Sequence, residues 1–371
     1  MNEFLKKIKN LSPEKQAELL AKLKKSKNNV VKDKIDFTKN FQYSNNSDKP
    51  FDFSLLQTEV SDPGPNHVQI RAKASSLNFR DVMIAFKKYP IFPGIPTNMG
   101  SDYAGIIEKV GKNVTDFKIG DEVIASHCGH SEELTGFRDN CHFIKTFNTD
   151  TANVYLKPKK ISFEEASCIP TVFLTSYLGL IKLGKLKESD NLLIHTATGG
   201  VGLSSIEIAN WKKASIYATA GTEEKRAYLK KNGIKNIYDS RSLEFAETLK
   251  SKNIGMDIVM NTLDGDRMIE SIKLLNPFGR FIHIDKKDIA KDTPLGMKLF
   301  TNGILFQFLD ITLLFFDTDL LRSSLQEIVE LFESELIKPI YYQTYHVSEL
   351  KKVMTVMSRG THIGKFVLKY D

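Results

Sequence analysis

The chain has 371 residues, 41% of them hydrophobic, and a formal net charge of +7. That length allows two domains with separate cores. No run approaches the roughly 18 apolar residues of a membrane helix, the N-terminus has no signal-peptide apolar region, and Cys128, Cys141 and Cys168 make no disulfide framework, so a cytoplasmic protein without membrane contact is expected. Residues 1–40 hold eleven Lys against five Asp or Glu, +6 of the total, which leaves a nearly neutral body and a poor footprint for nucleic acid.

In chain order, Ser12 and Pro13 supply an N-cap and a first helical residue, and Leu19, Leu20 and Leu23 share one face, predicting a short amphipathic helix. From Ser26 to Lys49 the Lys, Asn, Asp and Ser content reads as a linker, so residues 1–47 are expected to form an arm. After the turn Pro63-Gly64-Pro65, alternation over Val68–Ala74 and the runs Ala104–Gly111 and Ile119–Ile124 predict a β-rich, hairpin-containing domain over 48–166. His127, Cys128, His130, Cys141 and His142 crowd 16 residues of it, but their spacing fits no zinc-ribbon template, and no metal is assigned.

Leu192-Leu193-Ile194-His195-Thr196-Ala197-Thr198-Gly199-Gly200-Val201-Gly202 is an apolar run that ends in a glycine turn and passes at once into a helical pattern. Gly199 and Gly202 lack the Cβ atoms that would hold a pyrophosphate away from the backbone, and a helix N-terminus aims N–H groups and partial positive charge at it. The segment reads as a dinucleotide cradle. A second strand over Ser215–Ala220 ends without the acidic residue that binds the ribose of NAD. Thr222 follows, with Lys225 and Arg226 behind it, a pattern that suits a 2′-phosphate and hence NADPH, although Glu223 or Glu224 could still fold back to a ribose. Strands over Asp257–Asn261 and Arg280–Ile284 continue the alternation, predicting an α/β Rossmann domain over 167–305. A last strand near Gly364–Leu368 suggests that 306–371 returns to the β-rich domain.

Leu77-Asn78-Phe79-Arg80-Asp81-Val82, Tyr89-Pro90, Gly100-Ser101-Asp102-Tyr103-Ala104-Gly105, Ile169–Tyr177, the Gly199 loop, Ser240-Arg241-Ser242-Leu243, Gly279-Arg280-Phe281 and His362-Ile363-Gly364-Lys365 together resemble the enoyl reductase domains of polyketide synthases and animal fatty acid synthase. These belong to the medium-chain dehydrogenase/reductase superfamily. The resemblance runs from about residue 50 to the end. It implies a discontinuous GroES-like substrate domain around a Rossmann domain, NADPH as hydride donor, and an enoyl thioester on an acyl carrier protein as substrate, with other polyketide synthase domains as partners. It places cofactor contacts at Asn78, Thr175, Thr198, Gly199, Gly200, Val201, Gly202, Thr222, Lys225 and Arg241. Ser101 stands where zinc-dependent relatives have a histidine ligand, so no metal chemistry is implied.

Hydride delivered to Cβ of an unsaturated thioester pushes charge onto the thioester oxygen, so the site needs donors near that oxygen and an acid for Cα. The resemblance points to Tyr89, Lys286 and Asp310. Asp285 departs from it, since the family usually has glycine before this lysine. His195 matches a family position but reads more readily as a packed core residue. Three other readings remain open: a quinone or enone reductase for free small molecules, a variant that couples hydride transfer to cyclisation, and an inactive module of a megasynthase.

Overall fold

The computed structural model describes residues 36–45, 49–89, 98–126 and 141–371. The helix expected around Ser12–Leu23 lies outside these residues, as do His127, Cys128 and His130. The chain divides into two units, Met1–Lys39 and Asn40–Asp371. In the first, the described residues 36–39 form a turn in which the Asp36 carboxylate accepts from the Thr38 N–H at 3.0 Å.

In the second unit, β1 (Phe41–Asn45) pairs antiparallel with β2 (Phe53–Gln57) and with β6 (Cys141–His142), forming a small three-stranded sheet. Sequence composition had this stretch within the linker. The alternation of Phe41 and Tyr43, both buried, is what makes it a strand, and Phe41 stacks on Tyr370 at 5.9 Å. Beside it stands a larger sheet built on β3 (His67–Ser76), β4 (Asp102–Val110), β5 (Glu122–Ser126), β7 (Thr146–Asp150) and β8 (Val154–Leu156). β3, β4 and β5 form an antiparallel meander, the hairpin-rich region expected from alternation.

The parallel sheet comprises β9 (Asn191–Ile194), β10 (Ser215–Ala220), β11 (Asn236–Asp239), β12 (Met256–Asn261), β13 (Leu275–His283) and β14 (Leu305–Phe308), in the spatial order β11-β10-β9-β12-β13-β14. Succession in one direction from β9 to β11 and in the other from β12 to β14 opens a crevice at the carboxyl ends of β9 and β12, the switch point where such sheets bind ligands. The buried helix Pro170–Tyr177 packs on the helices Gly200–Lys212 and Thr318–Glu333. Phe173, fully buried, meets Phe332 edge-on at 4.9 Å, so its truncation to alanine would cost about 3–5 kcal/mol.

The chain then returns. β15 (Tyr342–His346) runs parallel to β16 (Lys365–Lys369), and β16 pairs antiparallel with β3, so the final strands complete the sheet begun some 300 residues earlier. The result is a Rossmann sheet alongside a GroES-like β region made from both ends of the unit. Among the described residues no helix is long and apolar enough to cross a membrane.

Candidate active site

The glycine loop leaves β9 and is tied to the neighbouring strands: the His195 N–H donates to the Met260 carbonyl at 3.1 Å and the Ala197 N–H to that of Thr219 at 2.9 Å. Gly199 caps the helix Gly200–Lys212 in an extended conformation, and no side chain caps the helix, so its first N–H groups remain directed outward. A Cβ on Gly199 would meet only the Thr196 carbonyl, at 3.4 Å. That face is open to a phosphate. Gly202 has a different task from the one expected, because a Cβ there would fall 2.5 Å from Ala197 Cα: its absence lets helix and strand end approach each other. At Gly200 a Cβ would fall 2.9 Å from both Lys365 Cδ and Val172 Cγ1. Val201, in the first turn of this helix, is partly buried.

The C-terminal segment lies against this loop. The Gly364 N–H donates to the Thr198 carbonyl at 2.8 Å, and Gly364 bridges to Gly199. Lys365, next in the chain, is buried; its Nζ donates to Asn78 Oδ1 at 2.5 Å and lies 3.4 Å from Asp102 Oδ2. Asn78 Nδ2 donates to Asp102 at 2.9 Å and to Ser101 Oγ at 3.3 Å, and Thr171 Oγ1 donates to Asp102 at 2.6 Å. One helical turn on, Thr175 donates to the Thr171 carbonyl at 2.8 Å. Asn78 and Thr175 therefore border a buried charged network whose centre, Lys365 and Asp102, was given no role from sequence. The available signal was a lysine inside the otherwise apolar run Gly364–Leu368.

At the other side of the loop, Thr222 caps the helix Glu223–Lys231 and accepts from the Lys225 N–H at 3.3 Å. Lys225 Nζ donates to the Gly360 carbonyl at 2.7 Å. Burial and the positive charge of Arg241 lower the Lys225 pKa, so the two cations act on one another across this corner. Arg241 lies over Gly221, where a Cβ would be 3.0 Å from its Nε. Arg226 is engaged elsewhere, at 3.0 Å from Glu223 and 3.3 Å from Asp239. Glu223 thus has a cationic partner of its own.

The three candidates for proton chemistry meet. Lys286, just beyond β13, donates to Tyr89 Oη at 2.6 Å and to Asp310 Oδ2. Its ammonium also stands 4.2 Å from the centre of the Tyr89 ring, which Arg80 approaches at 5.2 Å. Asp310, beyond β14, is held in turn by the Thr312 N–H at 3.1 Å and hydroxyl at 2.8 Å. Adjacent parallel strands bring Lys286 and Asp310 together, and the loop after the helix Phe79–Ala85 brings Tyr89 from the other region. Asp285 has its pKa raised by burial; its Oδ2 makes no hydrogen bond, with Lys287 Nζ 4.0 Å away.

His195 is a core residue. Its nitrogens bond to Thr219 Oγ1 at 3.0 Å and Ser271 Oγ at 2.8 Å, and burial pushes its pKa down to about 3. His142 Nδ1 accepts from the Met99 N–H at 3.2 Å. Among the described residues no three His, Cys, Asp or Glu side chains converge as metal ligands, and the buried Ser101 hydroxyl accepts from Asn78.

Two family profiles match this chain: the alcohol dehydrogenase GroES-like domain over residues 64–167 and zinc-binding dehydrogenase over residues 232–368. It is 36% identical over 309 residues to the phthioceranic/hydroxyphthioceranic acid synthase of Mycobacterium tuberculosis, covering 82% of this chain and 14% of that one. With the highly reducing polyketide synthase cm3B of Cordyceps militaris it shares 33% identity over 313 residues, 82% of this chain and 12% of the other. The chain thus spans only about one seventh of these relatives. Among solved structures, the CurK enoyl reductase superposes with a TM-score of 0.76 at 28% identity, covering 89% of this chain and 99% of that one. Escherichia coli quinone oxidoreductase, solved with NADPH, shares the fold with a TM-score of 0.72 at 22% identity over 89% of this chain and 99% of that one. Sheet order, glycine loop and these relationships agree: the chain belongs to the medium-chain dehydrogenase/reductase superfamily, among the enoyl reductase domains of polyketide synthases.

Proposed function

We propose that this protein reduces the α,β double bond of an enoyl thioester with NADPH, acting on an acyl chain borne by a carrier protein in polyketide or fatty acid synthesis. The observation that carries the reading is the Tyr89–Lys286–Asp310 cluster at the carboxyl rim of a sheet whose glycine loop has an open face. The residues fit a dinucleotide: Gly199 and the helix behind it suit the pyrophosphate, while Thr222, Lys225 and Arg241 suit the adenosine phosphate. The bound cofactor would supply a hydride to Cβ.

The protein's own residues then manage charge and protons. Tyr89 Oη accepts a hydrogen bond from Lys286, which turns the tyrosine's single proton toward a second acceptor. Asp310 holds the ammonium through Oδ2, while Thr312 occupies its other oxygen. In this reading Lys286 and Tyr89 stabilise charge on the thioester oxygen and Tyr89 delivers the proton to Cα, with Lys286 able to replace it. No step in this reading requires a metal.

The test is product analysis with a panel of enoyl thioesters, on carrier protein and on free thiol, with NADPH and NADH. Saturated product that depends on NADPH is expected. The double variant Tyr89→Phe, Lys286→Ala should lose about 10²–10⁴-fold in rate or alter the Cα configuration of an α-methyl product. A folded double variant with unchanged rate and configuration would remove both residues from the proton step. Equal turnover of quinones or free enones would favour the small-molecule reductase instead.

A further inference from the structure

The segment leading into β16 contains an imidazole that the reaction above does not use. Residues 360–364 are tethered at both ends to the dinucleotide region: Lys225 Nζ donates to the Gly360 carbonyl at 2.7 Å, and the Gly364 N–H donates to the Thr198 carbonyl at 2.8 Å. His362 lies between those anchors. Its ring leans on Phe366, with centroids 4.8 Å apart, and its buried Nδ1 has no hydrogen-bond partner. Buried polar atoms in folded proteins are nearly always partnered, so an orphaned ring nitrogen between two anchors of the glycine-loop region calls for an explanation.

The charges around it point to the sign of that ligand. Among the described residues, Lys225, from the helix Glu223–Lys231, and Lys365, from β16, are the charged groups that bear on His362; Arg241 lies beyond Lys225, whose charge also feels Glu224. Among the described residues no carboxylate bears on the imidazole itself. We propose that His362 is a proton-coupled contact of the dinucleotide site, which takes up a proton as a phosphate of the cofactor arrives beside Lys225. This rests on the dinucleotide reading above and adds a residue and a proton to it. Without an anion, burial and then the two lysines push the His362 pKa down to about 4, so the ring is neutral near pH 7. A bound phosphate reverses the local sign, turns repulsion into attraction, and gives the protonated ring an acceptor.

Calorimetry of NADPH binding at pH 6.5 in two buffers of different ionisation enthalpy counts the protons, and comparison with His362→Gln removes the cofactor's own titration from the count. If the bound-state pKa returns to the ordinary histidine value, wild-type protein takes up about half a proton more than the variant, and its affinity falls about four-fold more between pH 6 and pH 8. A second reading needs no variant: of the eight histidines, one C2–H resonance should titrate near pH 4 in the free protein and about 6.5 with NADPH bound. Equal proton counts in two proteins that both bind NADPH, or no such resonance, would overturn the inference. Wild-type protein that gives no binding with NADPH would overturn the dinucleotide reading, and this inference with it.

Discussion

Lys365 and Lys286 each meet an aspartate beside the cleft, but in opposite settings. Lys365 and Asp102 have side chains 3% and 0% exposed and are enclosed by Asn78, Thr171 and other groups of the protein. Lys286 is 15% exposed, and one of its partners, Tyr89, has a proton of its own to give. A buried ion pair whose partners are all internal holds two regions of chain in fixed relation. One that ends in a phenol near solvent has a group that can act on something else. The same pairing of residue types thus holds chain together at the glycine loop and, under the function proposed above, would serve chemistry at the β13–β14 rim.

The largest effect expected is on stability. Lys365→Ala would strand Asp102 in the interior and cost about 3–5 kcal/mol in urea unfolding; a loss below about 1 kcal/mol would mean that the buried network is not structural. Lys286→Ala also leaves a buried aspartate, but Lys286 itself is closer to solvent and Thr312 still donates twice to Asp310, so the stability loss should be smaller than for Lys365→Ala while thioester reduction falls about 10²-fold. Were both variants to lose stability alike, the distinction between the two pairs would collapse. At the adenosine corner, Lys225→Ala should weaken NADPH by about 1.5–3 kcal/mol and leave NADH nearly unchanged, as read by fluorescence titration.

The smallest effect concerns His195, beneath the glycine loop. Its folded-state pKa of about 3 lies below the ordinary 6.5, so the unfolded chain takes a proton first as pH falls. Stability from keeping this ring neutral is complete above pH 6.5 and is lost on acidification toward pH 3. Its share of the loss between pH 7.5 and 5.5 should be about 1.4 kcal/mol, and His195→Gln should remove that share from the pH dependence.

Much of the fold was legible because its signals are local. The apolar run before Gly199, the alternation in β3 and the recurring strands after it carry their periodicity within a few residues. β1 was missed because Phe41 and Tyr43 are two apolar residues among Lys, Asn and Ser, and their partners, Tyr370 and the carbonyl of Val347, lie about 300 residues away. The same separation hid the Lys365–Asp102–Asn78 network, which joins three blocks that sequence could name but not assemble. Gly202 failed in another way: the glycine was rightly judged necessary, but the atom it makes room for is Ala197 Cα, because a missing Cβ does not reveal what fills the space. Tyr89, Lys286 and Asp310 came from resemblance alone, and their contacts are tertiary.

The bond from Gly364 to Thr198 sets an order on the making of this protein. The glycine loop belongs to the parallel sheet, but the strap that closes over it comes with β16, which follows every strand of that sheet in the chain. β16 also seals the sheet begun at β3, so one late docking event completes both regions at once. Until that event the nucleotide loop is a half-made cradle on a finished sheet, and local opening of the last strand would uncover it again: amide protons of Gly364 and of β16 should exchange with a shared opening free energy, lower than that of β9 and β12.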